Sequence, residues 1–412
     1  MKLIKYVLTA ALILMTGGCY DLKEPNEIAY VTAIGVDEGE DENYSFTVQF
    51  AKPIQISGSG EEGGKGGDII ENITVDAPNT YSAVGLINDI ISKNLALSHM
   101  KLFIFSDKIA QKGIGDFIEV IARSEEIRQN VYISVCAGSC KDYLDNVKPI
   151  VETNPAKYYQ MIYDKKDFGA IPKGYGREVY FDINLPYKEA FVPLSGVSGS
   201  SEDNDEEKSA PVNEEAYENK IRNFRAGQAG SFKESKSEAM GGAVFKGDKL
   251  VGTLGSIDAD LCNIITNDFS SNYMTIKTDK SQKPVTVVVS RSKPTKIKYN
   301  RQEHSAKINI YLEGEFVSIP TGYIIEDNIL DFENTLKNAL NNAMYNFFDV
   351  TQGEYNSDIS GIGRYAREKF LTYKDFEEFN WEENFQNLKI EINTHFKIRR
   401  TGLTSKSRKL QY

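Results

Sequence analysis

The sequence predicts a multidomain protein of α+β or mixed α/β type: an N-terminal α/β region, then a C-terminal antiparallel sheet packed by one long helix. Three observations predict it. The chain has 412 residues, enough for two to three domains with real cores. Strand and helix patterns alternate through the first half. The second half sets period-two strands around a single long amphipathic run. Composition is that of a folded chain, 41% hydrophobic and 26% charged, which excludes wholesale disorder, collagen-like repeats and a coiled coil as the main architecture. The formal net charge of −11 lacks the basic footprint of a nucleic-acid binder.

The first residues set the compartment. Met1-Lys2-Leu3-Ile4-Lys5 is a short positive start, Tyr6 to Met15 is almost wholly apolar, and Thr16-Gly17-Gly18 precedes Cys19. This is the pattern of a signal peptide over 1–18, too short in its apolar run to span a bilayer comfortably. A Cys directly after two glycines reads as a lipobox: the thiol is the group to be acylated, and small residues let a peptidase grip an extended backbone. Cys19 is therefore the expected lipidation site of a bacterial lipoprotein. Removing 1–18 takes Lys2 and Lys5 away, so the remaining body is more acidic still and anionic lipid repels it. The acyl chains have to supply the anchoring.

From 19 to 194 the chain reads as a mixed α/β region. Ile28 to Val36 is apolar on both alternating sets, a strand buried on both faces. After the polar turn at 38–43, Tyr44, Phe46, Val48 and Phe50 alternate with polar residues, completing an antiparallel hairpin. A Gly-rich loop covers 57–67, and a strand follows at 69–75. Pro78 opens a helix whose apolar face is Val84, Ile87, Ile91 and Leu95. The block 98–106 is a strand entering a short helix, with Ser106 or Asp107 as cap and Gly113 as stop. A helix at 115–124, a strand at 131–136 and a short helix near Asp142 follow. The acidic stretch 195–238, with Glu202, Asp203 and Asp205 to Glu207, cannot bury enough apolar area to order itself and reads as a flexible insertion or linker.

The C-terminal domain is expected over 239–412. Two apolar stretches around Lys246-Gly247-Asp248-Lys249 form a hairpin. Ser256 caps a helix carrying Leu261, Ile264 and Ile265. Strands follow at 285–290, 297–299 and 307–319, the last with Ile308, Ile310, Leu312 and Phe316 on one face. A helix over 328–348 aligns Phe332, Leu336, Leu340, Ala343 and Phe347. A final strand at 389–398 alternates Ile390, Ile392, Phe396 and Ile398 with charged residues, and is read as antiparallel to its neighbours.

No chemistry is assembled by these patterns. His99, His304 and His395 have no metal-ligand spacing, and no GxSxG elbow marks a nucleophile. Cys136 and Cys140 form a lone CxxxC pair that reads as buried thiols, with a bridge within this pair or from Cys136 to Cys262 left open. Gly361-Ile362-Gly363-Arg364-Tyr365-Ala366 matches GxGxxA formally, but no strand leads into it, so it is not a dinucleotide fingerprint. The expectation is no catalytic residue, no metal and no cofactor.

Residues 18–24, Gly-Cys-Tyr-Asp-Leu-Lys-Glu, followed by Ala33-Ile34-Gly35-Val36-Asp37, resemble the opening of the Ger(x)C spore-germination lipoproteins, with Tyr20 where Trp is usual. That family comprises the C subunits of bacterial nutrient-germinant receptors. His99-Met100-Lys101 before Phe103 to Ser106, Gly242 to Lys246, Asp358 to Gly363, Trp381 and Gly402 resemble further family segments in the same order. The resemblance implies several mixed α/β domains and a non-enzymatic subunit, lipid-anchored through Cys19 at the outer face of the spore inner membrane. Its implied partners are an integral-membrane A-type subunit and a transporter-like B-type subunit. Direct contact with a nutrient is not implied. A solute-binding lipoprotein of a nutrient importer is the alternative, and an extracytoplasmic hydrolase the third reading.

Overall fold

The computed structural model describes residues 27–41, 44–51, 70–149, 154–165, 167–198, 223–228, 236–278, 284–320 and 323–402, together with residues 4, 6 and 152. Cys19, the Gly-rich 57–67 and most of the acidic stretch lie outside the described residues.

β1 (Ile28–Glu38) and β2 (Tyr44–Ala51) form the expected antiparallel hairpin, and β3 (Ile70–Ala77) adds antiparallel to β2. α1 (Thr80–Ile90) is capped by Asn79, whose side chain accepts the Ser82 N–H at 2.9 Å. The helix is shorter than its apolar face predicts. The Asn88 side chain accepts the Leu95 N–H at 2.8 Å, turning the chain so that Leu95 lies on β4 (Asn94–Ala96), parallel to β1. α2 (Asp107–Lys112), α3 (Gly115–Arg123), β6 (Tyr132–Ala137) and α4 (Cys140–Asp145) come where the patterns put them, whereas β5 (Leu102–Ser106) covers only the later part of the 98–106 block, because Leu97–His99 form a 3-10 turn ahead of it. Ser106 caps α2, accepting from Ile109 N at 3.4 Å, and Gly113 ends it. Three elements go beyond the sequence reading: α5 (Pro155–Tyr163), α6 (Gly176–Asn184) and β7 (Phe191–Val197).

β8 (Ser237–Lys246) and β9 (Lys249–Leu254) make the expected hairpin, but β8 pairs antiparallel with β7. They complete the first sheet, in the order β3-β2-β1-β5-β6-β7-β8-β9, instead of opening a second one at 239. Its centre, β1-β5-β6-β7, is parallel, with an antiparallel hairpin at each edge. Both faces are covered, as a central parallel sheet requires. Ile34, Phe103 and Val135 pack with α1, α2 and α3 on one side. Ala33, Leu102 and Ile104 pack with Tyr143 and Tyr159 of α4 and α5 on the other.

α7 (Ser256–Thr266) begins one residue earlier than a Ser256 cap requires. Gly255 takes the cap position, and Asn223 accepts the Ile257 N–H at 2.8 Å. The second sheet runs β10 (Ser271–Ile276), β11 (Val285–Asn300), β12 (Ser305–Ser318), β13 (Lys389–Arg400). The two strands expected in 285–299 are one, with register shifts on both sides of Lys293 next to Pro294. Between β12 and β13 come α8 (Ile325–Phe348), a π-helical turn at Asp349–Glu354, α9 (Ile362–Arg367), α10 (Tyr373–Phe379) and α11 (Trp381–Phe385). Phe332, Leu336, Leu340 and Phe347 of α8 lie in one core with Ile308, Ile310, Leu312 and Phe396. β10, β11 and β12 are antiparallel; β13, however, runs parallel to β12. The helical connection carries the chain back to the end at which β12 began, and a strand entered that way is parallel. No helix among the described residues is long and apolar enough to cross a membrane.

Candidate functional site

Two groups of the residues that the sequence singles out come together in the fold, and at both places they act by packing and hydrogen bonding. The first is the end of β1. The Asp37 carboxylate accepts the N–H groups of Cys140 and Lys141, each at 2.9 Å, and the Ser139 hydroxyl at 3.4 Å. It thus fixes the N-terminus of α4, where negative charge meets unpaired backbone donors. Gly35 lets α4 lie directly on the strand: a Cβ there would be 2.8 Å from the Cys140 Cβ and 3.0 Å from Leu144 Cδ1. Burial nevertheless holds the Asp37 carboxyl above its ordinary value.

The second place is the junction of the two sheets. Asp358 is buried, and its carboxylate accepts four hydrogen bonds, from Ser360 Oγ (2.7 Å), Gly363 N (2.7 Å), Trp381 Nε1 (3.0 Å) and Ile362 N (3.2 Å). Burial raises its carboxyl against the pull of those donors. Gly361 sits at φ 70°, a left-handed backbone that favours glycine. Any Cβ on Gly363 would collide with the Tyr187 carbonyl oxygen and the Trp381 ring. The same segment reaches the first sheet: Ser357 Oγ donates to Phe245 O of β8 at 2.6 Å, and Glu189 N donates to Asp358 O at 3.1 Å. Turn geometry at Gly361 and close packing at Gly363 thus account for both glycines.

Around that knot lie charged groups that sequence reasoning missed. Asp182, at the end of α6, is buried and pairs with Lys188 and with Arg364, the latter at 3.1 Å. Glu189, also buried, accepts the Gly247 N–H at 2.8 Å. Burial, with the Glu382 and Asp358 charges adding to it, pushes its carboxyl up to about 7. Glu189, Trp381 and Glu382 line a shallow cleft beside Tyr373. The only sequence signal was Lys188-Glu189 set against the apolar Ala190 to Leu194, a charge pair at a strand entrance.

The histidines stay apart. His99 stands edge-on to Tyr30, His304 is held between Tyr299 OH (3.0 Å) and the Asn384 carbonyl (2.7 Å), and His395 stacks on Tyr311. No group of three metal-ligating side chains occurs among the described residues. Cys136, Cys140 and Cys262 are free and buried, so neither bridge left open by the sequence is formed.

Two family models match this chain. The spore germination protein N-terminal domain covers residues 21–196, and the spore germination B3/GerAC-like C-terminal domain covers 240–402. The chain belongs to this family of spore germination proteins. It is a C-type subunit of the germinant-receptor kind, and the motifs gathered at Asp37 and Asp358 are segments of the two family domains. Spore germination protein B3 of Bacillus subtilis (strain 168) is 20% identical over 421 residues, 98% of this chain and 99% of that protein. Spore germination protein KC of the same organism is 27% identical over 130 residues, 31% of this chain and 32% of that protein, so the match spans about a third of its length. The crystal structure of the GerBC protein matches with a TM-score of 0.50 at 17% identity, over 89% of this chain and 96% of that one, which shows a shared fold.

Proposed function

We propose that this germinant-receptor subunit is lipid-anchored through Cys19 at the outer face of the spore inner membrane, and that it works without catalysis by assembling with integral-membrane A- and B-type subunits. The observation that carries the reading is the family match itself. It begins at residue 21, two residues beyond Cys19, and runs to 402 with one gap at the acidic stretch. Supporting it, the family segments around Asp37 and Asp358 spend their polar groups on backbone caps and a tryptophan, which suits a docking body.

The test is a Cys19→Ala strain. The variant should leave the membrane fraction, and nutrient-triggered germination should fall. Immunoprecipitation of the wild-type chain should bring down A- and B-type membrane subunits. Wild-type germination with the variant soluble would overturn the anchoring, and precipitates devoid of membrane subunits would overturn the assembly.

A further inference from the structure

The outer face of the second sheet is open. Among the described residues α7, α8 and α9 all lie in the core on the inner face, with Ile308, Ile310 and Leu312. The outward positions form rows across the strands: Lys298 beside Lys307 and Glu391, Lys296 beside Asn309 and Asn393, Lys293 beside Tyr311 and His395. The three acids of this face are already paired, Glu391 with Lys307, Glu313 with Arg399 and Glu315 with Arg400. Lys293, Lys296 and Lys298 are exposed, with no carboxylate in ion-pairing range among the described residues. In a chain of net charge −11 this is a surplus of positive charge on one face. The sequence past β13 keeps the sign, with Lys406, Arg408 and Lys409 and no acid in 403–412.

We propose that this face docks on an anionic bilayer surface, with β11 lysines against phospholipid headgroups. Lysine is a hydrated point charge that suits diffuse headgroup charge. Tyr311, stacked on His395 with centroids 4.8 Å apart and with Lys293 5.9 Å from its ring centroid, supplies the amphipathic aromatic that interfaces favour. The acidic body expected to be repelled by lipid thus has one face that lipid attracts. This is an orientation device, separate from acylation.

The experiment is sedimentation of the full chain with vesicles of phosphatidylcholine alone and of phosphatidylcholine with phosphatidylglycerol. Binding to the anionic vesicles should exceed binding to the neutral ones by about tenfold or more, and the excess should vanish in about 0.5 M salt. A variant carrying Lys293→Gln, Lys296→Gln and Lys298→Gln should lose most of that excess while keeping the wild-type unfolding transition. An acyl chain raises both arms equally, so failure of acylation at Cys19 lowers both and leaves their ratio. Equal binding to the two vesicles, or a ratio indifferent to the three lysines, overturns the proposal. So does anionic binding that emerges only after Glu202→Gln, Asp203→Asn and Asp205→Asn, which would assign the face to the chain's own acidic stretch.

Discussion

Trp381, the chain's single tryptophan, donates its indole N–H to the buried Asp358 carboxylate at 3.0 Å. That bond joins the helical end of the C-terminal core to the segment that touches the first sheet. Trp381→Phe keeps an aromatic ring but removes one of four donors from a buried carboxylate. Leaving such a group short costs about 1–3 kcal/mol, and the lost ring volume adds to it. Urea unfolding followed by circular dichroism should show a loss of about 2–4 kcal/mol. A loss under about 0.5 kcal/mol would mean that the carboxylate is satisfied without the indole.

Glu189 gives the junction a pH dependence. Its carboxyl stands at about 7 in the folded chain against an ordinary 4.5. Between those values the folded state holds a proton that the unfolded chain has released, so stability falls as pH rises through the window and is flat above it. The expected difference is about 3 kcal/mol. Glu189→Gln keeps an acceptor for the Gly247 N–H and removes the charge. Relative to wild type, the variant should gain about 3 kcal/mol between pH 4.5 and pH 8. A wild-type and variant difference that stays constant across that range would refute it.

The three buried thiols should be silent in the native protein. Burial pushes Cys262 up to about 12 and Cys140 well above its ordinary value, and the thiolate is the reactive form. A small thiol reagent should label Cys136, Cys140 and Cys262 roughly a thousandfold more slowly in native protein than in urea, as core opening demands. Rapid native labelling of any of the three, read by peptide mass, would show that its packing opens locally.

Alternation made β2 and α8 legible, because each buries one side against a layer and writes that period into the chain, while β1, β5, β6 and the β8–β9 hairpin were legible as apolar runs bounded by turn and cap residues. Strand direction is not written there. Ile390, Ile392 and Phe396 alternate identically in a parallel or an antiparallel neighbour, and only the path through α8 to α11 decides between them. β7 escaped for a related reason. Its apolar run is interrupted by Pro193 and leads straight into the acidic stretch, so nothing in the sequence marks it as a strand. The junction was half legible. Asp358, Gly361, Gly363 and Trp381 stood out as a family segment, but their partners Tyr187, Lys188 and Glu189 are distant in sequence and joined only by the fold.

Two glycines should respond in opposite directions to the same substitution. At Gly85 on α1, a Cβ has nothing within 4 Å, so Gly85→Ala should stabilise by about 0.5–1 kcal/mol through helix propensity. At Gly35 on β1, a Cβ meets Cys140 Cβ at 2.8 Å, at the base of α4. That helix cannot retreat without lengthening the two 2.9 Å bonds from Cys140 N and Lys141 N to Asp37. Gly35→Ala should therefore cost about 1–3 kcal/mol. The cost belongs to the anchored helix, so in an Asp37→Ala background, where α4 can shift, Gly35→Ala should cost less, and the double-mutant cycle should give a coupling of about 0.5 kcal/mol or more. Additive effects in denaturant titrations would mean that α4 is held by its apolar contacts alone and that Asp37 does not set its position.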